Sequence, residues 1–512
     1  MGEQAVGDSG GLSVGEQAVA VPEQAGPSDA SAASSRRWWV LGVVGLAQLM
    51  VVLDATIVNI ALPSAQRALG FSIADRQWVV TAYSLAFGGL LLLGGRLSDL
   101  VGRRRMLIIG LVGFAAASAL GGAATGFTVL VIARGAQGAF GAMLAPASLS
   151  TLTTTFTDPA DRGKAFGVYG AIAGGGGAVG LLLGGLLTEY LSWRWCLYVN
   201  VVLAVVAVTG AVRLLPSHPR DPDVHIDWPG TVLVVAGLVA LVYGLSEAET
   251  KSWSAPETIV LLVVGVVMLA RFVLVERRAA HPLLPLRIVL NRFRGGAYLA
   301  IGLSAIGVFG IFLFLTYYLQ ETLAYSPVKS GLAFLPMIVA IIVASTVSSG
   351  VLMPRFGPRP LIPAGLLLGA GGLVILATQL SLHTSYLGQI LAALLLVGVG
   401  LGMVFGCALN TATYGAGPAD AGVASALVNT NQQVGGSVGT ALLNTIAASA
   451  LTSYVLAHGR SPLVLAEAAV HSYVLAFWVS AAILAGSAII CGLVLESGTL
   501  AHADPAAGPA AA

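Results

Sequence analysis

The chain has 512 residues, 57% of them hydrophobic and only 9% charged, with a net charge of +2 and a mean hydropathy of +0.89. A soluble globular protein carries about 25% charged residues, so this composition excludes one, and the charge balance excludes a nucleic-acid binder that works by neutralising phosphates. Three scattered cysteines, Cys196, Cys407 and Cys491, are too few for a disulfide framework or a metal cluster.

Residues 1–35 are rich in Gly, Ala, Ser, Glu and Gln, with neither an apolar run nor a basic leader, and read as a disordered tail rather than a secretory signal. From Trp38 onward, apolar stretches of about 18 to 28 residues recur, each long enough to cross a hydrocarbon core of roughly 30 Å as a helix. Six of them, at 38–63, 77–95, 106–125, 127–150, 164–188 and 195–215, make a first unit over 36–215. Two more, at 229–247 and 256–276, lie in a segment over 216–294. The last six, at 296–320, 330–353, 361–381, 386–413, 422–450 and 471–495, fill 295–495, and 496–512 is a second tail. The expected class is an all-α polytopic membrane protein of fourteen spans.

Basic residues are retained on the cytoplasmic side of a membrane. With both termini inside, eighteen of the 25 basic residues fall in cytoplasmic segments and six in external ones, while Arg134 lies within a span. The pattern G-x-L-x4-G-x-R occurs twice, at Gly95, Leu97, Gly102 and Arg104 and again at Gly350, Leu352, Gly357 and Arg359. Both copies follow the second span of a six-span unit. This duplication predicts two six-helix bundles related by an axis along the membrane normal, with a helix pair inserted between them.

Of the 23 acidic residues nearly all lie in the tail, in loops or at helix ends, and Asp54 is the exception. It sits about eight residues from the expected outer end of span 1, or roughly 12 Å, and Arg134 lies at a depth of roughly 10 Å in span 4. A bare carboxylate at such a place costs several kcal/mol unless it is paired, protonated or facing water. The pair therefore reads as a coupling site that alternates between a proton and a cation, or as an ion pair that only fixes helix packing. Gln48, Thr56 and Asn59, with Gln137 one turn from Arg134, could line the same cavity or bond between helices.

In span 13, Asn429 and Gln433 share a face, which suits a binding cavity and plain helix adhesion equally. Tyr317, Tyr318 and Tyr325 near the end of span 9 read as interfacial aromatics or as rings that stack on a ligand. Span 5 carries Gly174, Gly175, Gly176, Gly177, Gly180, Gly184 and Gly185, which points to close packing against the opposite bundle. No Lys-Ser or Lys-Thr follows these glycines, so they make no nucleotide loop, and neither H-E-x-x-H nor G-x-S-x-G occurs. The chain is not expected to be an enzyme, and no cofactor beyond a proton gradient is implied.

These residues together resemble the fourteen-span drug:proton antiporter branch of the major facilitator superfamily. Leu53-Asp54-Ala55-Thr56-Ile57-Val58-Asn59-Ile60-Ala61-Leu62-Pro63 matches its span 1 motif. Gly95, Leu97, Asp99, Gly102, Arg103, Arg104 and Leu107 match the superfamily's cytoplasmic loop, with Leu100 at a usually basic position. Leu130, Arg134, Gln137 and Gly138 match span 4, where Phe140 replaces a usual Gly. Gly176, Gly180, Gly184 and Gly185 resemble the antiporter motif of span 5, with Leu181 in place of a usual Pro. Trp193-Arg194-Trp195 to Asn200 completes the pattern, and Val202 stands where Pro is usual.

The resemblance implies proton-driven export of amphipathic, in some cases cationic, drugs or antibiotics across the cytoplasmic membrane by alternating access. It implies that Asp54 binds a proton or cation, that Arg134 serves coupling, and that Asp99 and Arg103 latch the cytoplasmic side. The expected partners are the small substrate, protons and membrane lipid, with no nucleic acid, and the chain is expected to act as a monomer. A proton-coupled nutrient importer shares the fold, and the glycine-rich fifth span argues against it. A non-transporting scaffold or sensor would not need Asp54 and Arg134 at one depth.

Overall fold

The computed structural model describes residues 2, 27–72, 75–156, 158–215, 227–279, 282–413 and 421–496. Fourteen long helices run through them: α1 Pro27–Leu69, α2 Arg76–Val101, α3 Arg103–Gly122, α4 Phe127–Thr155, α5 Pro159–Tyr190, α6 Trp195–Leu214, α7 Trp228–Thr250 and α8 Pro256–Glu276, followed by α9 Arg292–Tyr317, α10 Pro327–Val347, α11 Pro358–Gln379, α12 Leu391–Thr413, α13 Ala421–His458 and α14 Pro462–Val494. By length and composition, 13 of them can cross a membrane, and α5, with 32 residues, packs among them. Among the described residues there is no strand.

Their ends are set locally. Pro stands in the first turn of α7, α8, α10, α11 and α14, where a missing N–H costs nothing. Side-chain oxygens of Asp227, Asn291, Ser326 and Ser461 accept from the first free amides of α7, α9, α10 and α14.

The duplication expected from the loop motif is present in the packing. In the N-terminal bundle α1 packs on α5 and α6, α2 on α4, and α3 on α4 and α6. In the C-terminal bundle α9 packs on α13 and α14, α10 on α12, and α11 on α12 and α14, which repeats the same five pairings. The bundles join reciprocally, α2 against α13 and α5 against α10. Both copies of the loop motif turn on a glycine with positive φ, Gly102 at 96° and Gly357 at 72°, a conformation in which a side chain is strained. The inserted pair α7 and α8 packs on itself, with α7 also against α2 and α13. Gln77 of α2 donates to Ser246 Oγ at 2.7 Å and Thr445 of α13 to Leu245 O at 2.9 Å, so α7 is bonded to both bundles.

Three expectations change. Helix α1 starts at Pro27, so the last part of the stretch expected to be a disordered tail is helical, while residues 3–26 and the C-terminal residues from 497 lie outside the described residues. It also continues through Pro63 to Leu69. Asp54 is thus fifteen residues from the helix end, or about 22 Å, close to the middle of the span. It still meets Arg134 because α1 extends past the start of α4.

The third change concerns the span 5 glycines, most of which face their own bundle. A methyl placed on Gly176 would lie 3.1 Å from Val52 Cγ1, one on Gly184 2.9 Å from Ile57 O, and one on Gly180 would collide with Thr56 Oγ1, all on α1. Gly185 is the member of the motif that faces the other bundle, where the same methyl would sit 2.8 Å from Pro327 O at the start of α10. Leu181 lies on this seam as well, because a methyl on Gly331 of α10 would come within 2.6 Å of Leu181 O. At Phe140, the usual glycine has a counterpart on the facing helix: Gly113 of α3 leaves room for the Phe140 ring.

Candidate functional site

Asp54 is 0% exposed at the centre of the N-terminal bundle and accepts three donors. Arg134 Nη1 donates to Oδ2 at 2.5 Å, while Gln137 Nε2 at 2.9 Å and Asn200 Nδ2 at 2.7 Å both donate to Oδ1. Arg134, 1% exposed, also donates to Gln137 Oε1 at 2.9 Å and through Nε to Val79 O at 3.0 Å. Its guanidinium lies 4.4 Å from the centre of the Tyr83 ring, whose hydroxyl donates to Val51 O. Gln137 donates further to Ser118 Oγ at 2.7 Å. Helices α1, α2, α3, α4 and α6 all feed this one charge pair. Beside it, a cavity of about 10 Å³ walled by Val58, Val79, Trp193 and Cys196 is at the lower limit for one water.

Such a site can do one kind of chemistry. Every donor converges on an acceptor, so the arrangement as it stands suits an ionised carboxylate. Protonating Asp54 would leave the Arg134 guanidinium without its counter-charge in a dry surrounding, a change worth about 3–5 kcal/mol.

Asp54, Arg134 and Gln137 are thus brought together, but Asn59 is not. Its Nδ2 donates to Ala55 O at 3.2 Å in the preceding turn. Thr56 likewise bonds back to Val52 O and Leu53 O, and Gln48 accepts from Tyr169. Asn200 and Ser118 are partners the residue pattern did not single out as such; a polar residue on an otherwise apolar span was the available signal.

The end of the molecule where α1 finishes, opposite the start of α1 and the end of α14, is tied between bundles. Tyr317 Oη donates to Gln66 Oε1 at 2.5 Å, Gln320 Nε2 to Ile60 O at 3.0 Å, and Val328 N to Glu189 Oε2 at 2.9 Å. Pro63 removes one amide from this turn of α1, and Gln320 reaches the same turn. Arg76, at the start of α2, is 2% exposed. It lies 4.2 Å from the Tyr317 ring centre and 5.6 Å from that of Phe314, and donates to Asn444 Oδ1 at 3.3 Å.

Tyr317 and Tyr318 are therefore not interfacial aromatics. Both are buried, and Tyr318 donates to Ser381 O at 2.6 Å. Tyr325 instead places its ring 3.7 Å from Lys329 Nζ. On α13, Asn429 is exposed and Gln433 half-buried, the latter where α13 meets Gly88 of α2 at the junction of the bundles. At the other end of the molecule, Gly94 and Gly95 lie against α4, near Ala142 and Pro146. There Arg104 donates to Val212 O at 2.6 Å and Arg103 is half-buried in the first turn of α3. The side chain of Asp99, expected to latch this end, lies outside the described residues, as do the surroundings of Gly174.

Two pseudo-symmetric six-helix bundles, the first enclosing a buried charge pair, define a polytopic helical transporter. Residues 44–440 match the Major Facilitator Superfamily, and the chain belongs to that family; it is a multi-pass membrane transporter and not an enzyme. It is 54% identical over 430 residues to the puromycin resistance protein pur8 of Streptomyces alboniger, covering 83% of this chain and 85% of that one. The cephamycin export protein CmcT of Amycolatopsis lactamdurans is 39% identical over 79% of this chain and 83% of its own. The tetracenomycin C resistance and export protein of Streptomyces glaucescens is 34% identical over 84% and 79% respectively. Among solved structures, an autoinhibited POT family peptide transporter aligns with a TM-score of 0.64 at 17% identity, covering 90% of this chain and 96% of that one. An inward-facing, unoccupied bacterial homologue of the human lysosomal transporter Spinster aligns with 0.62 at 15%, covering 90% and 97%. At these identities they speak for the fold.

Proposed function

We propose that the chain is a proton-driven antiporter that exports amphipathic antibiotics across the cytoplasmic membrane by alternating access. The observation that carries the reading is Asp54, enclosed at mid-depth with Arg134, Gln137 and Asn200 as donors. In this reading the termini are cytoplasmic, so the end tied by Gln66 and Tyr317 faces outward and is shut. When Asp54 takes a proton from outside, its neutral acid needs an acceptor, and Asn200 Oδ1, buried without a donor, supplies one by rotation of its amide. Arg134 is released at the same step. Return to the cytoplasmic-open state places Asp54 beside Arg134 again and expels the proton inward.

The substrate class is supported by relatives named for export of or resistance to puromycin, cephamycin and tetracenomycin C. Puromycin is the first compound to test, given the 54% identity. Binding falls to the space between bundles, where Asn429 and Gln433 of α13 are the candidate contacts, and the protein works as a monomer in lipid. The deciding experiment is uptake into inverted vesicles of a pump-deficient host. Puromycin uptake that needs, and dissipates, an acid interior establishes export by proton exchange. Accumulation in right-side-out vesicles alone would make the chain an importer, and no flux of any antibiotic in a broad panel would sink the transport assignment to this class.

A further inference from the structure

We propose that Asp227 and Glu276 share one proton, which makes the base of the inserted helix pair a second proton-binding site, separate from Asp54. Asp227 precedes α7 and Glu276 ends α8. Each uses one carboxylate oxygen in an ordinary way: Asp227 Oδ1 accepts from Gly230 N at 2.8 Å, and Glu276 Oε2 accepts from Leu284 N at 3.0 Å. The other two oxygens, Asp227 Oδ2 and Glu276 Oε1, are buried and have no donor. They converge on one point. A methyl placed on Gly230 would lie 2.5 Å from Asp227 Oδ2 and 2.7 Å from Glu276 Oε1, so both oxygens face the same small space.

Two ionised carboxylates offer only acceptors, so oxygens facing each other this way require a hydrogen between them. Water has little access, since Glu276 is 4% exposed. A divalent cation would want six or more oxygens, and among the described residues no group of three or more His, Cys, Asp or Glu side chains is placed to hold a metal. The charged group facing the pair from α2 is Arg96, which donates to Pro282 O at 2.7 Å in the segment after α8; Arg277 and Arg278 beside Glu276 are exposed. The neutral pair therefore closes a small assembly of the α7 start, the α8 end and residues 282–284, and Arg96 fastens that assembly to the N-terminal bundle. Loss of the proton sets two charges against each other in a dry place and opens it.

Infrared titration of the full-length protein in lipid nanodiscs tests the assignment, in an Asp54→Asn background so that the transport carboxylate makes no contribution. A protonated-carboxyl stretch should persist at neutral pH, vanish on alkaline titration, and be absent from Glu276→Gln and from Asp227→Asn alike, because one proton serves both. Gly230→Ala, which keeps both acids but drives a methyl between them, should weaken it. The fold holds a proton that the unfolded chain releases, so this part of the stability is present at low pH and declines as pH rises. Glu276→Gln should flatten that decline. A band that survives both substitutions, or is lost with only one of them, overturns the shared proton, and so does a melting temperature that falls when divalent ions are chelated.

Discussion

Asn200 Nδ2 donates to Asp54 Oδ1 at 2.7 Å, while the carbonyl oxygen of the same amide is buried with no donor. The amide thus stabilises the ionised carboxylate now and has an unused acceptor for the neutral acid. Asn200→Leu removes both functions at similar volume. The carboxylate then loses one of its three donors, worth about 1.5–3 kcal/mol, and proton-coupled export should fall roughly tenfold or more with normal amounts of protein in the membrane. Export unchanged from wild type would show that Asn200 has no part in the proton cycle.

Asp54→Asn keeps the volume and offers Arg134 an acceptor but no charge. Export coupled to protons should fall to background with normal amounts of protein in the membrane, as read by antibiotic susceptibility with quantified expression. Arg134→Ala should be worse folded, because it strips a buried carboxylate of its counter-charge at a cost of about 3–5 kcal/mol. Full uncoupler-sensitive efflux in the Asp54→Asn variant would place the proton elsewhere.

The fifth helix offers a paired comparison on adjacent glycines. Gly184→Val meets Ile57 of α1 inside the N-terminal bundle, and Gly185→Val meets Pro327 and Val328 across the bundle seam. The first should lower thermal stability, by about 1–3 kcal/mol for an overpacked contact. The second should leave the bundle intact and open the end where α1 finishes. Fluorescence-detected melting separates the two, and equal loss of stability in both would remove the distinction.

Tyr317→Phe deletes the hydrogen bond to Gln66 that joins the bundles at the end where α1 finishes, the outer end in the proposed orientation. A net hydrogen bond is worth about 1 kcal/mol, so the open population should rise about fivefold. A cysteine in place of Ala65, which is 3% exposed, reports this with a membrane-impermeant thiol reagent on intact cells, since Cys196, Cys407 and Cys491 are all buried. Labelling that is faster in the Tyr317→Phe background supports both the seal and its outward orientation; labelling from the cytoplasmic side alone would invert the topology.

The spans and their duplication were legible because lipid forces long apolar helices, and the repeated glycine loop marks equivalent turns. Asp54 and Arg134 were legible for the same reason, since an ionisable residue in an apolar run stands out. What the residue pattern misjudged were features set by tertiary contact. Pro63 looked like a helix end, yet α1 runs on and Gln320 bonds the turn it disturbs. Asn59 looked like a site residue, but an amide can as well bond its own preceding turn. The span 5 glycines announced close approach without saying to which neighbour, and nothing local to Arg76 reveals the rings it packs on.

The two bundles repeat the same five helix pairings, yet among the described residues only the first encloses a charge pair; the Lys, Arg, Asp and Glu residues of helices α9 to α14 lie at or near their ends. In the proposed reading, proton coupling belongs to the first half and the candidate ligand contacts on α13 to the second. Hybrid proteins that join this N-terminal bundle to a relative's C-terminal one, with the bonds of Gln66, Ile60 and Arg76 across the seam retained, should then keep their dependence on the proton gradient while taking the substrate range of the donor.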